Sequence, residues 1–187
     1  TNSDPTDPTI HLEKACKDRN YMFDPMPYEF HCQICDSHVL VGSKHCGQCN
    51  RCTSGFDHHC RYLNNCIGEA NYDHFFKLIV WVFWMVAMHN LTNGFVIYDL
   101  YMSPGTVDLT HMKYYSLNMS EQFKICLFIV SFFNFLALLF LMHLIYFHIE
   151  LKIKGITTYE FLKMKETMPR ESKIVVRIYK DKKEEMI

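Results

Sequence analysis

Two long apolar stretches dominate the pattern of hydrophobic and polar residues along this chain. The first covers residues 75–98 and contains one charged residue, Lys77, while the second covers residues 123–149 and is more uniformly apolar. A helix of about 20 residues crosses the roughly 30 Å hydrocarbon core of a bilayer. Because helices that are apolar on every side need a membrane or a very large core, the pattern predicts transmembrane helices over residues 73–99 and 123–150.

Basic residues are distributed unevenly around these two stretches. Residues 99–122 contain one of them, Lys113, whereas ten follow the second stretch and six precede the first. An excess of Lys and Arg marks the cytosolic flanks of membrane helices. We therefore expect both ends of the chain to be cytosolic and the loop 100–122 to be lumenal or extracellular. The expected location is an endomembrane (ER or Golgi) or the plasma membrane.

The remaining segments are short and polar. Residues 1–30 are rich in Asp, Pro and Thr and show neither a helical nor a strand period, which predicts an extended cytosolic arm. Residues 31–72 form a cysteine-rich unit, and residues 151–187 form a cytosolic C-terminal segment. No internal repeat is evident in the sequence.

Seven of the nine cysteines lie between Cys32 and Cys66, together with histidines at spacings typical of zinc ligands. Six cysteines and two histidines provide two complete tetrahedral sites. A unit of this size has almost no apolar interior, so metal binding supplies most of its folding free energy. Cytosolic thiols stay reduced, which favours two structural Zn²⁺ ions over disulfides.

The eight ligands can be divided between the two ions in two ways. A consecutive division gives one ion Cys32, Cys35, His45 and Cys46, and the other Cys49, Cys52, His59 and Cys66. Neighbouring residues of an extended chain point in opposite directions, so an interleaved division is more natural. It gives one ion Cys32, Cys35, His45 and Cys52, and the other Cys46, Cys49, His59 and Cys66. Both sites would be closed and therefore structural.

Cys60 is left over in either division, directly after Asp57, His58 and His59. Because His59 is a metal ligand, His58 is the candidate general base for the Cys60 thiol. Asp57 is placed to orient the His58 ring and to stabilise its cation. A thiol beside a base with its own orienting group is typical of nucleophilic catalysis. The alternative is that Asp57 and His58 cap a turn and that Cys60 is inert.

The run from Cys32 to Phe75 reads Cys-x2-Cys-x9-His-Cys-x2-Cys-x2-Cys-x4-Asp-His-His-Cys-x5-Cys-x4-Asn-x3-Phe. It resembles the cysteine-rich domain of the Asp-His-His-Cys (DHHC) protein S-acyltransferases. The motif residues Thr157, Thr158 and Glu160 resemble the TTxE motif of that family, and Asp4-Pro5 or Asp7-Pro8 resembles its Asp-Pro motif. The resemblance implies an α-helical multi-pass membrane protein with a small cytosolic zinc domain of short β-hairpins.

The resemblance also implies the interleaved zinc assignment and the chemistry. Cys60 would take a long-chain acyl group from acyl-CoA, such as palmitoyl-CoA, and pass it to a cysteine of a substrate protein. A threonine hydroxyl of the TTxE motif would reach the region of Asp57. Family members ordinarily have two further membrane helices before the zinc domain, so we expect this chain to be part of a longer protein.

Five residues are candidates for contact with the acyl donor. Phe75, Leu78, Val82 and Met85 fall on one helix face and could line an acyl-chain pocket, although the same stripe could simply pack against neighbouring helices. Tyr62 stands where the family usually has Trp. The segment before His45 retains one basic residue, Lys44, which puts the affinity for CoA in question.

Three functions can be compared on the sequence. The first is a protein-cysteine S-palmitoyltransferase whose partners are membrane lipid, accessory or complex subunits, and substrate proteins with membrane-proximal cysteines. The second is a catalytically weak or inactive membrane scaffold or adaptor subunit that keeps the zinc fold. The third, a zinc-knuckle nucleic-acid binder, is disfavoured because alternating aromatic and basic residues are absent from the sequence.

Overall fold

A computed structural model describes residues 4–24, 30–102 and 119–167. The chain divides into two compact units. One contains the residues up to Asp73 together with those from Glu150 onward, and the other contains His74–Ile149. The elements in chain order are α1 (Pro8–Asp18), β1 (Phe30–Cys32), β2 (Ser37–Val39), β3 (Lys44–Cys46), β4 (Arg51–Thr53), β5 (His58–Cys60), β6 (Asn65–Ile67), α2 (Tyr72–Met102), α3 (Met119–Lys154) and α4 (Thr158–Thr167).

The two long helices coincide with the two apolar stretches. Each is long and apolar enough to cross a membrane, over Tyr72–Tyr98 in α2 and Lys124–Lys154 in α3, and few of their side chains are buried. A core helix of a soluble protein would instead be covered by its neighbours. Within their unit, Phe75 of α2 packs edge-on against His148 of α3, with the ring centroids 5.1 Å apart. Most of the predicted 100–122 loop lies outside the described residues.

The first thirty residues differ from the expected extended arm, because Pro8–Asp18 form the helix α1. Asp7 caps this helix by accepting a hydrogen bond from the backbone N–H of Thr9 at 2.9 Å, and Pro8 fits its first turn. The Asp7 side chain is completely buried and also accepts hydrogen bonds from the Leu40 N–H and the Ser43 hydroxyl. Asp7 is therefore part of the core of the zinc unit, whereas Pro8 beside it is exposed.

The cysteine-rich unit consists of three separate two-stranded antiparallel hairpins. Each hairpin turn contains one residue with positive φ, at Asp36 (48°), Asn50 (48°) and Asn64 (47°). Asp and Asn tolerate this left-handed conformation better than other residues with a side chain, since their short polar groups bond locally. The same turn chemistry therefore closes all three hairpins.

These hairpins are an internal repeat, which the sequence reading missed. They begin at Phe30, Lys44 and His58, so the period is 14 residues. The second position holds His31, His45 and His59, the third Cys32, Cys46 and Cys60, the sixth Cys35, Cys49 and Leu63, and the ninth His38, Cys52 and Cys66. The repeat is hard to recognise because residues at equivalent positions have different roles in the three hairpins.

Gly68, directly after β6, lies too close to the backbone for any other residue. A Cβ atom there would lie 2.5 Å from both the Ser54 carbonyl oxygen and the Thr53 Cγ2. We therefore expect Gly68→Ala to destabilise the zinc unit by about 1–3 kcal/mol, measured as faster zinc release to a chelator. Gly47→Ala is the matched control, since a Cβ at Gly47 meets nothing within 4 Å. Equal zinc release from the two variants would contradict the packing argument.

Candidate active site and metal centres

The first hairpin and the second together form one potential metal centre. Cys32, Cys35, His45 and Cys52 present ligand atoms that all lie within 4.8 Å of one another. His45 Nδ1 lies 3.8 Å from the Cys32 sulfur, 3.3 Å from Cys35 and 3.9 Å from Cys52. Tetrahedral zinc, with Zn–S of about 2.3 Å and Zn–N of about 2.0–2.1 Å, requires sulfur–nitrogen distances of about 3.6 Å. The spacing of these four groups fits zinc.

The second hairpin and the third form an equivalent centre. Cys46, Cys49, His59 and Cys66 also have ligand atoms within 4.8 Å of one another. His59 Nδ1 lies 3.7 Å from the Cys46 sulfur, 3.3 Å from Cys49 and 3.8 Å from Cys66. The structure thus groups the ligands as in the interleaved division, and not consecutively.

Strand geometry explains why the ligands interleave. His45 and Cys52 are directly opposite each other in the second hairpin, as are His59 and Cys66 in the third, so each pair lies on one face. Cys46 follows His45 in the same strand and points to the other face. The second hairpin therefore offers its histidine side to the first hairpin and its cysteine turn to the third.

The clustered thiols also suit a cation on electrostatic grounds. Burial, together with neighbouring thiols, raises the pKa of Cys66 to about 12 and that of Cys52 well above its usual range. Ionised thiols gathered this closely repel one another unless a divalent ion balances their charge. The two Cys3His groups therefore fit two structural zinc ions.

Cys60 belongs to neither group, although it occupies the same repeat position as the metal ligands Cys32 and Cys46. The second cysteine of the turn is replaced by Leu63, and the described residues contain no fourth hairpin to supply a histidine. The Cys60 side chain is buried, with 7% of its surface exposed. Cys60 thus stands at the position of a turn cysteine of the repeat but belongs to neither metal group of the described residues.

The other two candidate catalytic residues precede Cys60. His58 and Cys60 are alternate residues of β5, so their side chains leave the strand on one face, while His59 leaves on the other. His58 Nδ1 lies 2.6 Å from Asp57 Oδ2. This contact fixes the orientation of the ring and favours the tautomer in which Nδ1 carries the proton and donates it in a hydrogen bond to the carboxylate, which leaves Nε2 as the basic nitrogen.

Asp57 is held from a second direction by the start of α4. The Thr158 backbone N–H donates to Asp57 Oδ1 at 2.8 Å, so both carboxylate oxygens are engaged. Burial raises the pKa of Asp57, but the hydrogen bonds from His58 and from the N–H and side chain of Thr158 outweigh it and hold the pKa below its usual value. Asp57 is therefore ionised at neutral pH.

The TTxE segment contacts Asp57 through Thr158, whose backbone N–H donates to the carboxylate and whose side chain lies beside it. The Thr157 hydroxyl instead accepts from the Glu160 N–H at 3.2 Å. Glu160 in turn accepts from the Thr157 N–H at 2.9 Å, which completes a capping box. The cap starts α4 so that its first free N–H points at Asp57.

Tyr159, the residue at the variable position of the TTxE motif, packs α4 against the hairpins of the zinc unit. Its ring meets Phe56 edge-on at 5.9 Å, and the Lys44 ammonium lies 5.5 Å from the ring centroid. Sequence reasoning missed both contacts, because nothing in the spacing links residues so far apart.

A family model described as DHHC palmitoyltransferase matches residues 27–165. The chain belongs to this family. Among relatives, the probable protein S-acyltransferase 20 of Arabidopsis thaliana is 31% identical over 136 residues, which are 70% of this chain and 19% of that protein. Palmitoyltransferase ZDHHC4 of Bos taurus is 37% identical over 101 residues, 50% of this chain and 29% of the relative. The chain thus spans less than a third of these DHHC proteins.

The remaining candidate residues of this DHHC chain lie on different parts of the two units. Phe75 is buried against His148, whereas Leu78, Val82 and Met85 have largely exposed side chains in α2. Tyr62 is 93% exposed at the tip of the third hairpin. Each of these positions remains a candidate for contact with an acyl donor.

Proposed function

We propose that this DHHC chain carries the catalytic centre of a protein S-acyltransferase, with Cys60 as the nucleophile. The observation that carries the proposal is the combination of a buried cysteine outside both metal groups and a histidine on the same strand face, held by an ionised aspartate. The family of the chain and the names of its relatives support the same reaction class.

The proton transfers follow from the Asp57–His58 pair. With its Nδ1 proton held by Asp57, His58 receives the Cys60 proton at Nε2 and becomes an imidazolium. The Asp57 carboxylate stabilises this cation without accepting its proton. The resulting Cys60 thiolate is the reactive form of the side chain.

Acyl transfer then takes two exchanges between thioesters. The Cys60 sulfur attacks the carbonyl carbon of a long-chain acyl-CoA; the new C–S bond forms, the bond to the CoA sulfur breaks, and the CoA thiolate takes the proton from His58. A cysteine of a substrate protein, deprotonated by His58, next attacks acyl-Cys60 and restores the thiol. Because each step replaces one thioester with another, a single nucleophile suffices.

Two zinc ions would hold the site without taking part in the reaction. The residues that would bind them are Cys32, Cys35, His45 and Cys52 for one ion, and Cys46, Cys49, His59 and Cys66 for the other, so neither ion would have an open coordination position. The ions would fix the hairpins from which Asp57, His58 and Cys60 project. His59 in particular would anchor β5 to the second ion.

We assign the acyl chain to the apolar side chains of α2 near its start. Phe75, Leu78, Val82 and Met85 would contact the chain, and the exposed ring of Tyr62 would lie in the membrane interface. The distribution of basic residues supports a cytosolic position for the zinc unit and both ends of this chain. Suitable acceptors are proteins with cysteines close to the same membrane surface.

A two-stage labelling experiment tests the proposal. The full chain, reconstituted in bilayers with both zinc ions, is incubated with alkyne-palmitoyl-CoA and then with a lipid-anchored peptide that contains one cysteine. Label that appears first on the protein, is released by hydroxylamine and then moves to the peptide supports the reaction. Zinc-loaded protein that never acquires hydroxylamine-sensitive label contradicts it.

The hydrogen bond from α4 to Asp57 gives a sharper prediction. Thr158→Pro removes the N–H donor but suits the first helical position, so α4 still starts there. Losing a hydrogen bond to a charged carboxylate is expected to slow Cys60 acylation about tenfold. The measurement is the single-turnover rate of labelling from alkyne-palmitoyl-CoA.

Thr158→Ala is the matched control, since alanine, like proline, lacks the hydroxyl but, unlike proline, keeps the N–H that donates to Asp57. It should label faster than the proline variant, and both variants should retain two zinc ions. Equal rates for the proline and alanine variants would show that the Thr158 N–H does not position Asp57.

A further inference from the structure

The first hairpin carries a ligand pair that neither zinc centre uses. His31 and His38 are directly opposite each other in its strands. They stand at the repeat positions held by His45 and Cys52 in the second hairpin and by His59 and Cys66 in the third. In those hairpins the pair binds a metal together with residues supplied by the preceding hairpin. Among the described residues, no hairpin precedes this pair.

Helix α1 supplies a further potential ligand to this histidine pair, as the preceding hairpin does for the pairs in the second and third hairpins. Thr9 holds α1 against β2 by donating its hydroxyl to the His38 carbonyl at 2.6 Å. One turn further along, Glu13 is buried, and its Oε2 accepts a hydrogen bond from the His38 N–H at 2.9 Å. A carboxylate from the preceding segment therefore stands beside the histidine pair.

The side chains of this cluster lie near one another but are more widely spaced than the ligands of the two Cys3His groups. The rings of His31 and His38 are 5.0 Å apart, in an edge-on orientation. His38 Nδ1 lies 3.5 Å from Glu13 Oε2, close enough for an ion pair when the imidazole is protonated. A divalent cation bound between the two groups takes the place of that proton.

The side chains that already contact His31 and Glu13 form only weak ion pairs with them. His31 Nε2 lies 3.7 Å from Asp36, whose side chain is 90% exposed. Lys17, 63% exposed, occupies only the other oxygen of Glu13, Oε1, at 3.1 Å. Exposed ion pairs of this kind contribute little free energy, so a divalent cation can displace them.

We infer that His31, His38 and Glu13 form a third divalent-metal site, separate from the two Cys3His centres and independent of the acyl-transfer proposal. Two imidazoles and one carboxylate suit Zn²⁺ and its substitutes Co²⁺ and Ni²⁺, with water in the remaining position. The three groups are less tightly gathered than the Cys3His ligands, so His31 must rotate to close the site. The ion at this site is therefore exchangeable, in contrast to the two structural ions.

Cobalt titration of the full chain with both structural zinc ions in place tests this inference. One equivalent of Co²⁺ is expected to bind with the weak visible bands of a nitrogen and oxygen site, and without the near-ultraviolet charge-transfer band of thiolate ligation. His31→Ala and Glu13→Gln should each weaken this binding by about tenfold or more. Glu13→Gln keeps an acceptor for the His38 N–H, which protects the fold.

His11→Ala is the control, since His11 is an exposed histidine of the same helix whose ring contacts Asp4. It should bind the additional Co²⁺ as the unmodified chain does, and all variants should keep two zinc ions. Failure to bind Co²⁺, binding that survives in both His31→Ala and Glu13→Gln, or a thiolate charge-transfer band from Cys60 would each overturn the inference.

Discussion

Replacing Cys60 with serine is expected to reduce hydroxylamine-sensitive acylation of the protein to the background, with no loss of zinc. The expectation follows from the position of Cys60 outside both metal groups, whose eight ligands are complete without it. A serine hydroxyl in the same place is a far weaker nucleophile than a thiolate. The measurements are gel detection of alkyne-palmitate label and zinc content of the same sample.

Two cysteine variants serve as controls for this result. Cys16→Ser in α1 changes a cysteine outside the metal groups and should label normally. Cys35→Ser removes a metal ligand and should lose zinc together with activity. If Cys60→Ser also lost one zinc ion per chain, the assignment of Cys60 as the surplus thiol would be wrong.

Replacing each of the two adjacent histidines of β5 with alanine should impair the protein in a different way. His59→Ala removes a ligand from the second centre, and zinc binding supplies most of the folding free energy of such a unit. We expect loss of one zinc ion and unfolding of the third hairpin. His58→Ala removes only the base, so the protein should keep two zinc ions while acylation slows by about 10²–10⁴-fold.

Zinc content and single-turnover labelling, measured on both variants, separate these outcomes. Raising the pH should partly restore His58→Ala, since hydroxide can then deprotonate Cys60, but it should not restore the metal-depleted His59→Ala. Similar zinc loss in both variants would contradict the division of labour along β5.

Much of the metal chemistry could be predicted from the sequence, because cysteine spacing and strand alternation are local properties. Whether His45 and Cys46 share an ion depends only on the directions in which neighbouring residues point, and the structure agrees with that reasoning. The two long apolar stretches could also be recognised in the sequence, since their composition alone distinguishes them from the rest of the chain. The resemblance to DHHC proteins is confirmed by the family match over residues 27–165.

Other features left too little trace in the sequence. Helix α1 is short and polar, so its periodicity is weak, and only the Asp7–Pro8 start signal could have indicated it. The contact between Thr158 and Asp57 uses a backbone N–H, which every residue except proline possesses. The hairpin repeat is hard to see in the sequence because His31, His45 and His59 occupy the same position of the repeat but lie beside different residues.

The bond between Thr158 and Asp57 joins residues 101 positions apart in the chain. Both candidate membrane-crossing helices lie between these two residues. A chain that crosses a bilayer can place both partners in one aqueous compartment only after an even number of crossings. Crossings by both α2 and α3 would return the chain to the side from which α2 departed, and only then would Thr158 reach Asp57. During synthesis, the proposed orienting carboxylate would thus receive its second hydrogen bond from a segment made after both helices, and a topological error in either helix would remove that bond.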